Sequence, residues 1–353
     1  MLNWLLVLVP IAIALEYLVP TNHLLVFATA AVAILPLAGW MGRATEQLAD
    51  RAGEGVGGLL NATFGNAAEL IIALAALRAG LHDVVKASIA GSIVGNILLV
   101  LGAAMLAGGL RYKEQHFNVV GVRSQATMLT LAAIALITPA AYNAVTDDVA
   151  ADYQGILSVS ISVILLAVYA SFLLFSLRTH SALFAGSSTP DDGEHIEPWP
   201  VGRAISVLAG ATVAVAWLSE ILVGAIEPTA HELGLSDIFV GVFVVAILGN
   251  AAEHASAITA ARKNRMDLSL SIAIGSSVQV ALFVAPLLVL ASLVIGPAPM
   301  DLLFTTGLVL LVLLAVLITG QVAGDGRSDW LKGVQLLAVY LILGFAFFLM
   351  PQS

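Results

Sequence analysis

The chain has 353 residues, of which 60% are hydrophobic and only 10% are charged, with a formal net charge of −9. A soluble protein of this length needs more polar side chains to cover its surface, so the composition excludes an ordinary soluble domain and predicts an all-α polytopic membrane protein. The absence of cysteine excludes disulfides, thiolate metal sites and cysteine nucleophiles.

Apolar segments of about 20 residues, the length that crosses a bilayer, recur along the whole sequence. The first lacks a basic leader and an Ala-x-Ala cleavage site, so we interpret it as a retained spanning helix. We predict eleven transmembrane helices, at residues 2–19, 23–42, 56–79, 84–109, 118–143, 153–178, 201–226, 236–262, 267–294, 300–320 and 329–350.

One motif occurs twice. Gly-Asn-Ala-Ala-Glu at 65–69 recurs at 249–253, 184 residues later (249 − 65), and each copy is followed by Gly-Ser, at 91–92 and 275–276. The motif predicts a duplicated half-molecule. We therefore divide the chain into an extra helix (1–20), a first five-helix repeat (21–180), an acidic cytoplasmic linker (181–200) and a second five-helix repeat (201–353). An odd number of helices per half inverts the second repeat, and inverted repeats place substrate at their interface.

The basic residues predict the orientation. With eleven helices, two basic residues, Arg78 and Lys86, fall on the side opposite the N-terminus. By the positive-inside rule the N-terminus is cytoplasmic and the C-terminus external, and we expect a prokaryotic plasma membrane. The other twelve share the side of the N-terminus: Arg43, Arg51, Arg111, Lys113, Arg123, Arg178, Arg203, Arg262, Lys263, Arg265, Arg327 and Lys332.

The longest polar stretch, from Ser187 to Pro200, separates the two motif copies and contains five acidic or histidine residues. It is interpreted as a solvated hinge between the halves. A regulatory cation site there is the alternative that the sequence leaves open.

Two glutamates within apolar segments carry the functional prediction, because a carboxylate in a membrane is costly and rarely lacks a role. Glu69 and Glu253 both lie near the middle of their segments. Together they can be neutralised by two protons or by one divalent cation, whereas the empty, doubly ionised pair is unfavourable. Such a site can change its access from one side of the membrane to the other when Ca²⁺ or protons are bound, but not when it is empty. This property is the physical basis of antiport.

The same four segments supply oxygen atoms for a hard cation such as Ca²⁺, which takes six to eight oxygen ligands. The absence of cysteine and the presence of only one mid-membrane histidine disfavour zinc and copper. Glycines are expected to weaken the helices where backbone carbonyls would be freed, at Gly65, Gly249, Gly91 and Gly275. The predicted metal ligands are Glu69, Glu253, Asn66, Asn250, Ser92, Ser276, Asn96 and Gln279.

Each of these residues also has a structural interpretation. The glutamates could bond across a helix interface, the asparagines could only join helices, and the serines could be small packing residues. His254 follows Glu253 and lies about 100° away around the helix. It is a candidate proton-coupling residue beside the two glutamates, since histidine titrates near neutral pH, although a supporting role behind the ligands is favoured.

The paired motifs resemble the two α-repeats of the calcium/cation antiporter superfamily, in its cation/proton exchanger branch. The resemblance rests on GNAAEL with GSIVGN in the first half and GNAAEH with GSSVQ in the second. It covers nearly the whole chain and implies Ca²⁺/H⁺ antiport, with Glu69 and Glu253 as the central acids. It also implies alternating access in which the first helices of each half slide past core helices. No cofactor is expected beyond the transported Ca²⁺ and H⁺, and the expected partners are these ions and membrane lipid.

Three other functions agree less well with the sequence. A sodium/calcium exchanger of the same superfamily typically carries Gly-Thr-Ser-x-Pro-Glu and a further acid, whereas no acid lies near Ser92 or Ser276 here. An intramembrane enzyme is disfavoured because His-Glu-x-x-His is absent and only His254 is available at depth. A cation channel is disfavoured, because a channel does not need a pair of carboxylates that must be occupied again in every transport cycle.

Overall fold

The structure is a computed structural model that describes residues 3–146, 151–180 and 199–350. It is almost entirely helical. Two short strands, β1 (Gln115–His116) and β2 (Arg327–Ser328), form one antiparallel pair. The helices are α1 (Asn3–Leu18), α2 (His23–Phe64), α3 (Ala67–Arg78), α4 (His82–Gly109), α5 (Val119–Thr146), α6 (Tyr153–Thr179), α7 (Val201–Gly224), α8 (Ile226–Leu233), α9 (Asp237–Arg262), α10 (Met266–Ala291), α11 (Thr306–Asp325) and α12 (Trp330–Phe348).

Nine helices within the described residues are long and apolar enough to cross a membrane. Large apolar side chains such as Val213, Ile342 and Phe345 lie exposed on the outside, as expected of a surface covered by lipid. The prediction of a polytopic all-α membrane protein is confirmed, whereas the count of eleven crossings stays a prediction. The two predicted segments outside the nine correspond to the short α1 and to 56–79, which is divided between α2 and α3.

Helix α2 has 42 residues and folds back on itself instead of running straight. A Cβ added at Gly57 would lie 3.2 Å from the Cα of Ala49, eight residues earlier. In a straight helix these residues would be separated by about 12 Å along the axis. The turn predicted between the second and third segments is therefore a sharp bend within continuous helix.

Helices α4 and α10 form the centre of the molecule. Of the residues in the most apolar 18-residue stretch of each helix, 83% are buried in α4 and 72% in α10. Both contain a π-helical segment at matched positions, Gly95–Val100 in α4 and Val280–Val284 in α10. Such segments interrupt the regular backbone hydrogen-bonding pattern and often occur at functional sites. The polar residues Asn96 and Gln279 lie at these interruptions.

The two halves pack reciprocally around these central helices. Helices α5 and α6 of the first half pack against α10, while α11 and α12 of the second half pack against α4. Helices α2 and α7 pack against each other. This exchange of partners is the arrangement expected of a duplicated unit, and the inversion of the two halves stays a prediction. The predicted acidic linker, at 181–200, lies outside the described residues except for Trp199 and Pro200.

Candidate cation site

The first motif copy lies at a break between two helices. Helix α2 ends at Phe64, Asn66 has φ −97° and ψ 22°, and α3 begins at Ala67. Glu69 therefore stands in the first turn of α3, where the helix dipole and free backbone N–H groups favour a negative charge.

The second copy differs, because α9 continues unbroken through Gly249 and Asn250. The helices also continue through Gly91 and Gly275. Of the four glycines predicted to break helices, only Gly65 lies at a break. At the other three positions the backbone hydrogen bonds of the surrounding helix are maintained, so that expectation is corrected.

A hydroxyl group joins the first glutamate to the second half. The Ser92 hydroxyl donates a short hydrogen bond to Oε1 of Glu69. Nδ2 of Asn250 donates to the same Ser92 oxygen at 2.9 Å and to the carbonyl of Ala246 at 3.0 Å. Helices α3, α4 and α9 are thereby connected by buried polar groups.

A second hydroxyl group, Ser276, occupies the equivalent position in the other half but directs its proton to an asparagine. The Ser276 hydroxyl donates to Oδ1 of Asn66 at 3.0 Å. Nδ2 of Asn96 donates to Ser276 Oγ at 3.1 Å, and Nδ2 of Asn66 donates to Oε1 of Gln279 at 2.7 Å. The structure thus brings all eight predicted ligands into one region.

The two networks use equivalent residues of the two halves, although their hydrogen bonds differ in direction. Adding 184 to Glu69 and Ser92 gives Glu253 and Ser276, and subtracting 184 from Asn250 gives Asn66. In each network the serine comes from one half and its asparagine partner comes from the other. Neither half can therefore complete its own network alone.

The motif glycines permit close approach of the two glutamate-bearing segments. A Cβ added at Gly249 would lie 3.1 Å from the Cβ of Glu69, and one added at Gly65 would lie 3.5 Å from Oε1 of Glu253. Each glycine therefore faces the glutamate of the opposite half. A larger residue at either position would occupy the space beside a carboxylate.

Three buried oxygen atoms of the site have no hydrogen-bond partner within the protein: Oε2 of Glu69, Oε2 of Glu253 and Oδ1 of Asn250. Unpaired buried oxygens are unfavourable, so these atoms favour the binding of a cation or, at the two carboxylates, of a proton. A set of carboxylate, amide and hydroxyl oxygens fits Ca²⁺. Within the described parts of the chain no group of three acidic or histidine residues offers an alternative metal site.

A cavity of about 380 Å³ leads to one glutamate and not to the other. Its deep end is lined by Glu253, Ser276 and Gln279, whereas Glu69 does not line it and is only 4% exposed. The cavity continues past Ser256 and Ser271 towards the turn that joins α9 to α10. In this conformation the two carboxylates differ in their access to solvent.

His254 is half-buried and does not line this cavity. A proton-coupling role for it stays a prediction.

Sequence reasoning missed Glu46, which lines the cavity from α2, because residues 43–55 were assigned to a loop. The signal was present in the spacing of Ala38, Met41, Gly42 and Thr45, which continues a helical face into that region.

The sequence profile of the family described as "Sodium/calcium exchanger protein" matches residues 22–178 and again 203–349. A Ca(2+)/H(+) antiporter of Aphanothece halophytica is 45% identical over 98% of this chain and 96% of its own length. The Ca(2+)/H(+) antiporter ChaA of Bacillus subtilis is 44% identical over 92% of each chain. The solved structure of native YfkE superimposes with a TM-score of 0.85 at 39% identity, covering 99% of this chain and all of its own.

Proposed function

Because this chain belongs to the sodium/calcium exchanger protein family, we propose that Glu69 and Glu253 form the site at which it exchanges Ca²⁺ for protons. The protein is an integral membrane Ca²⁺/H⁺ antiporter, as are the relatives named above. The family also includes exchangers that use sodium, so the identity of the coupling ion is argued from this chain's own residues.

One observation carries the site assignment: two buried networks related by 184 residues, each with an unpartnered carboxylate oxygen, meet between the halves. A purely structural carboxylate would be expected to have both oxygens satisfied. Here Oε2 of Glu69 and Oε2 of Glu253 remain available, which supports a role in binding.

Charge balance explains the exchange. Two ionised glutamates carry two negative charges, which one Ca²⁺ neutralises through its carboxylate ligands. Two protons neutralise them equally by converting both groups to carboxylic acids. The doubly ionised site is strongly disfavoured in a low-dielectric interior, so the empty form does not reorient and leak is suppressed.

The hydroxyl and amide groups can stabilise both the Ca²⁺-bound and the protonated form of the site. Ser92 donates its proton to Glu69 and accepts from Asn250, so it holds the carboxylate oxygen Oε1 in place while Oε2 remains free. When Ca²⁺ binds, the serine and asparagine oxygens add neutral ligands without changing the charge. When protons bind, the same oxygens accept hydrogen bonds from the carboxylic acids.

Alternating access requires the site to open to one side at a time. The cavity reaches Glu253 between α2, α9 and α10. A Ca²⁺ ion or a proton that enters from this side therefore reaches Glu253 before Glu69. Rearrangement of the packed pair α2 and α7 against α4 and α10 would close this path and open one on the other side. The positive-inside rule makes the present cavity cytoplasmic, so a plasma-membrane protein of this orientation extrudes Ca²⁺.

The decisive test is transport by the purified protein in liposomes. An imposed pH gradient should drive ⁴⁵Ca²⁺ uptake in buffers free of Na⁺, and a protonophore combined with a potassium ionophore should abolish it. Uptake that requires a Na⁺ gradient instead would establish the sodium/calcium exchanger as the correct function. Ca²⁺ flux without accompanying proton movement, followed with an entrapped pH dye, would indicate a channel.

A further inference from the structure

The cavity that leads to Glu253 has a second carboxylate at its other end. Glu46 lies on α2, is exposed, and lines the cavity together with Thr45, while Glu253 and Ser276 line it from α9 and α10. Among the residues that line this cavity, all within the described part of the chain, Glu46 and Glu253 are the ionisable ones, and both are acidic.

The charge of this cavity favours cations. A narrow cleft with low-dielectric walls and one sign of charge concentrates counter-ions and accelerates their entry. Arg43 lies one turn before Glu46 on α2 and reduces this potential, whereas Asp50, one turn later, adds to it. Neither Arg43 nor Asp50 lines the cavity, so Glu46 is the charged group that an entering cation contacts first.

The remaining polar groups of the lining suit a partly hydrated cation. Thr45 uses its hydroxyl proton in a bond of 2.9 Å to the Met41 carbonyl, so its oxygen lone pairs remain available. Asn61, Ser256 and Ser271, which are exposed like Glu46, add further oxygens to the cavity lining. Oε2 of Glu253, buried and without a partner, lies at that end and independently indicates a cation there.

We propose that Glu46 is an entrance ligand for the transported divalent cation, holding it in a partly hydrated state before transfer to Glu253. The inference rests on the proposed function and adds an asymmetry to it. The residue 184 positions later is Ala230, so the equivalent position of the second half carries no carboxylate. Glu46 therefore serves one mouth of the transport path only.

The side of α2 that carries Glu46 also connects entry to gating. Helix α2 packs against both α7 and α9, whereas α9, which carries Glu253, also packs against α4 and α10. Movement of α2 relative to α9 would carry Glu46 away from Glu253 when the cavity closes. A cation bound at Glu46 would then be released or already transferred, which prevents the two sites from competing across the transition.

The experiment measures Ca²⁺ dependence of exchange from each side of the membrane separately, in the full-length protein. Glu46→Gln should raise the KM for Ca²⁺ presented to the cavity side about 5–20-fold, with kcat reduced less than twofold. KM for Ca²⁺ presented to the opposite side should remain unchanged. Glu46→Asp, which keeps the charge, should restore most of the affinity, and Glu46→Lys should raise KM further.

Asp50→Asn is the matched control, because it removes the same charge from the same helix at a position that does not line the cavity. It should change KM less than twofold. Equal effects of Glu46→Gln and Asp50→Asn, or a KM that rises equally from both sides, would overturn the entrance ligand. Failure of the wild-type protein to exchange Ca²⁺ for protons would instead refute the proposed function. Because Glu46 is exposed, the variants are expected to fold, and their thermal unfolding should match the wild type.

Discussion

At the scale of residues, two equivalent serines organise the polar groups of the site in different ways. Each hydroxyl has one proton and two lone pairs, and Ser92 uses them to donate to Glu69 and accept from Asn250. Ser276 donates to Asn66 and accepts from Asn96. Ser92 therefore fixes Glu69 relative to an asparagine of the opposite half, whereas Ser276 joins two asparagines of the first half. Oε2 of each glutamate has no partner within the protein.

Glu69→Gln and Glu253→Gln should each abolish pH-driven Ca²⁺ transport, lowering the initial rate at least 100-fold. Glutamine keeps the size and one oxygen of the side chain but neither the charge nor the exchangeable proton. The measurement is ⁴⁵Ca²⁺ uptake in liposomes, with thermal unfolding as the check on folding. Glu232→Gln, at an exposed glutamate, is the control and should retain wild-type transport. Near wild-type flux in either site variant would refute the assignment.

At the scale of elements, small residues set the distance between central helices. Gly91 of α4 faces the backbone of Val242 in α9, where an added Cβ would lie 2.6 Å from its Cα. Gly95, one turn later in the same helix, has nothing within 4 Å of an added Cβ. Two glycines one turn apart on α4 therefore have different roles, and only Gly91 is required by packing.

Gly91→Ala should destabilise the protein by about 2–3 kcal/mol or more, because backbone atoms cannot move aside as a flexible side chain would. Gly95→Ala is the matched variant and should leave stability unchanged or raise it by about 0.5–1 kcal/mol through helix propensity. Thermal unfolding in detergent measures both. Equal stability of the two variants would contradict the close contact between α4 and α9.

At the scale of the whole molecule, the two halves depend on each other for helix packing and for the polar networks of the site. Their outer helices exchange partners around α4 and α10, and their asparagines complete each other's carboxylate networks. Ion pairs link the halves as well: Lys86 of α4 bonds Asp301 at 2.5 Å, and Arg78 of α3 bonds Glu220 of α7 at 2.9 Å. A separated half would therefore expose both apolar surface and buried polar groups.

The orientation can be tested directly, because the natural chain contains no cysteine. Lys263→Cys, at the α9–α10 turn, should react with a membrane-impermeant thiol reagent from the cytoplasm only. Glu232→Cys, at the end of α8, should react from the outside only. Both positions are exposed, so accessibility to reagent is ensured. Labelling of the two variants from the same side would refute the predicted arrangement of crossings.

The sequence determined the membrane class, the repeated motif and the candidate residues for the site, because these depend on composition and on spacing along the chain. It predicted that Glu69 and Glu253 would share a site, since carboxylates in apolar segments have few other uses. It did not predict that asparagines pair across halves, because hydrogen bonds between residues 158 or 210 positions apart have no local signal.

The tertiary structure alone decided where the helices bend and break. Equivalent glycines gave a break at Gly65 and continuous helix at Gly249, because packing around each segment, rather than glycine's own propensity, determines the backbone. The fold also placed Glu46 on the cavity wall, where α2 folds back beside α9. A residue assigned to a loop thus became part of the path to Glu253, since long-range packing determines which surfaces meet.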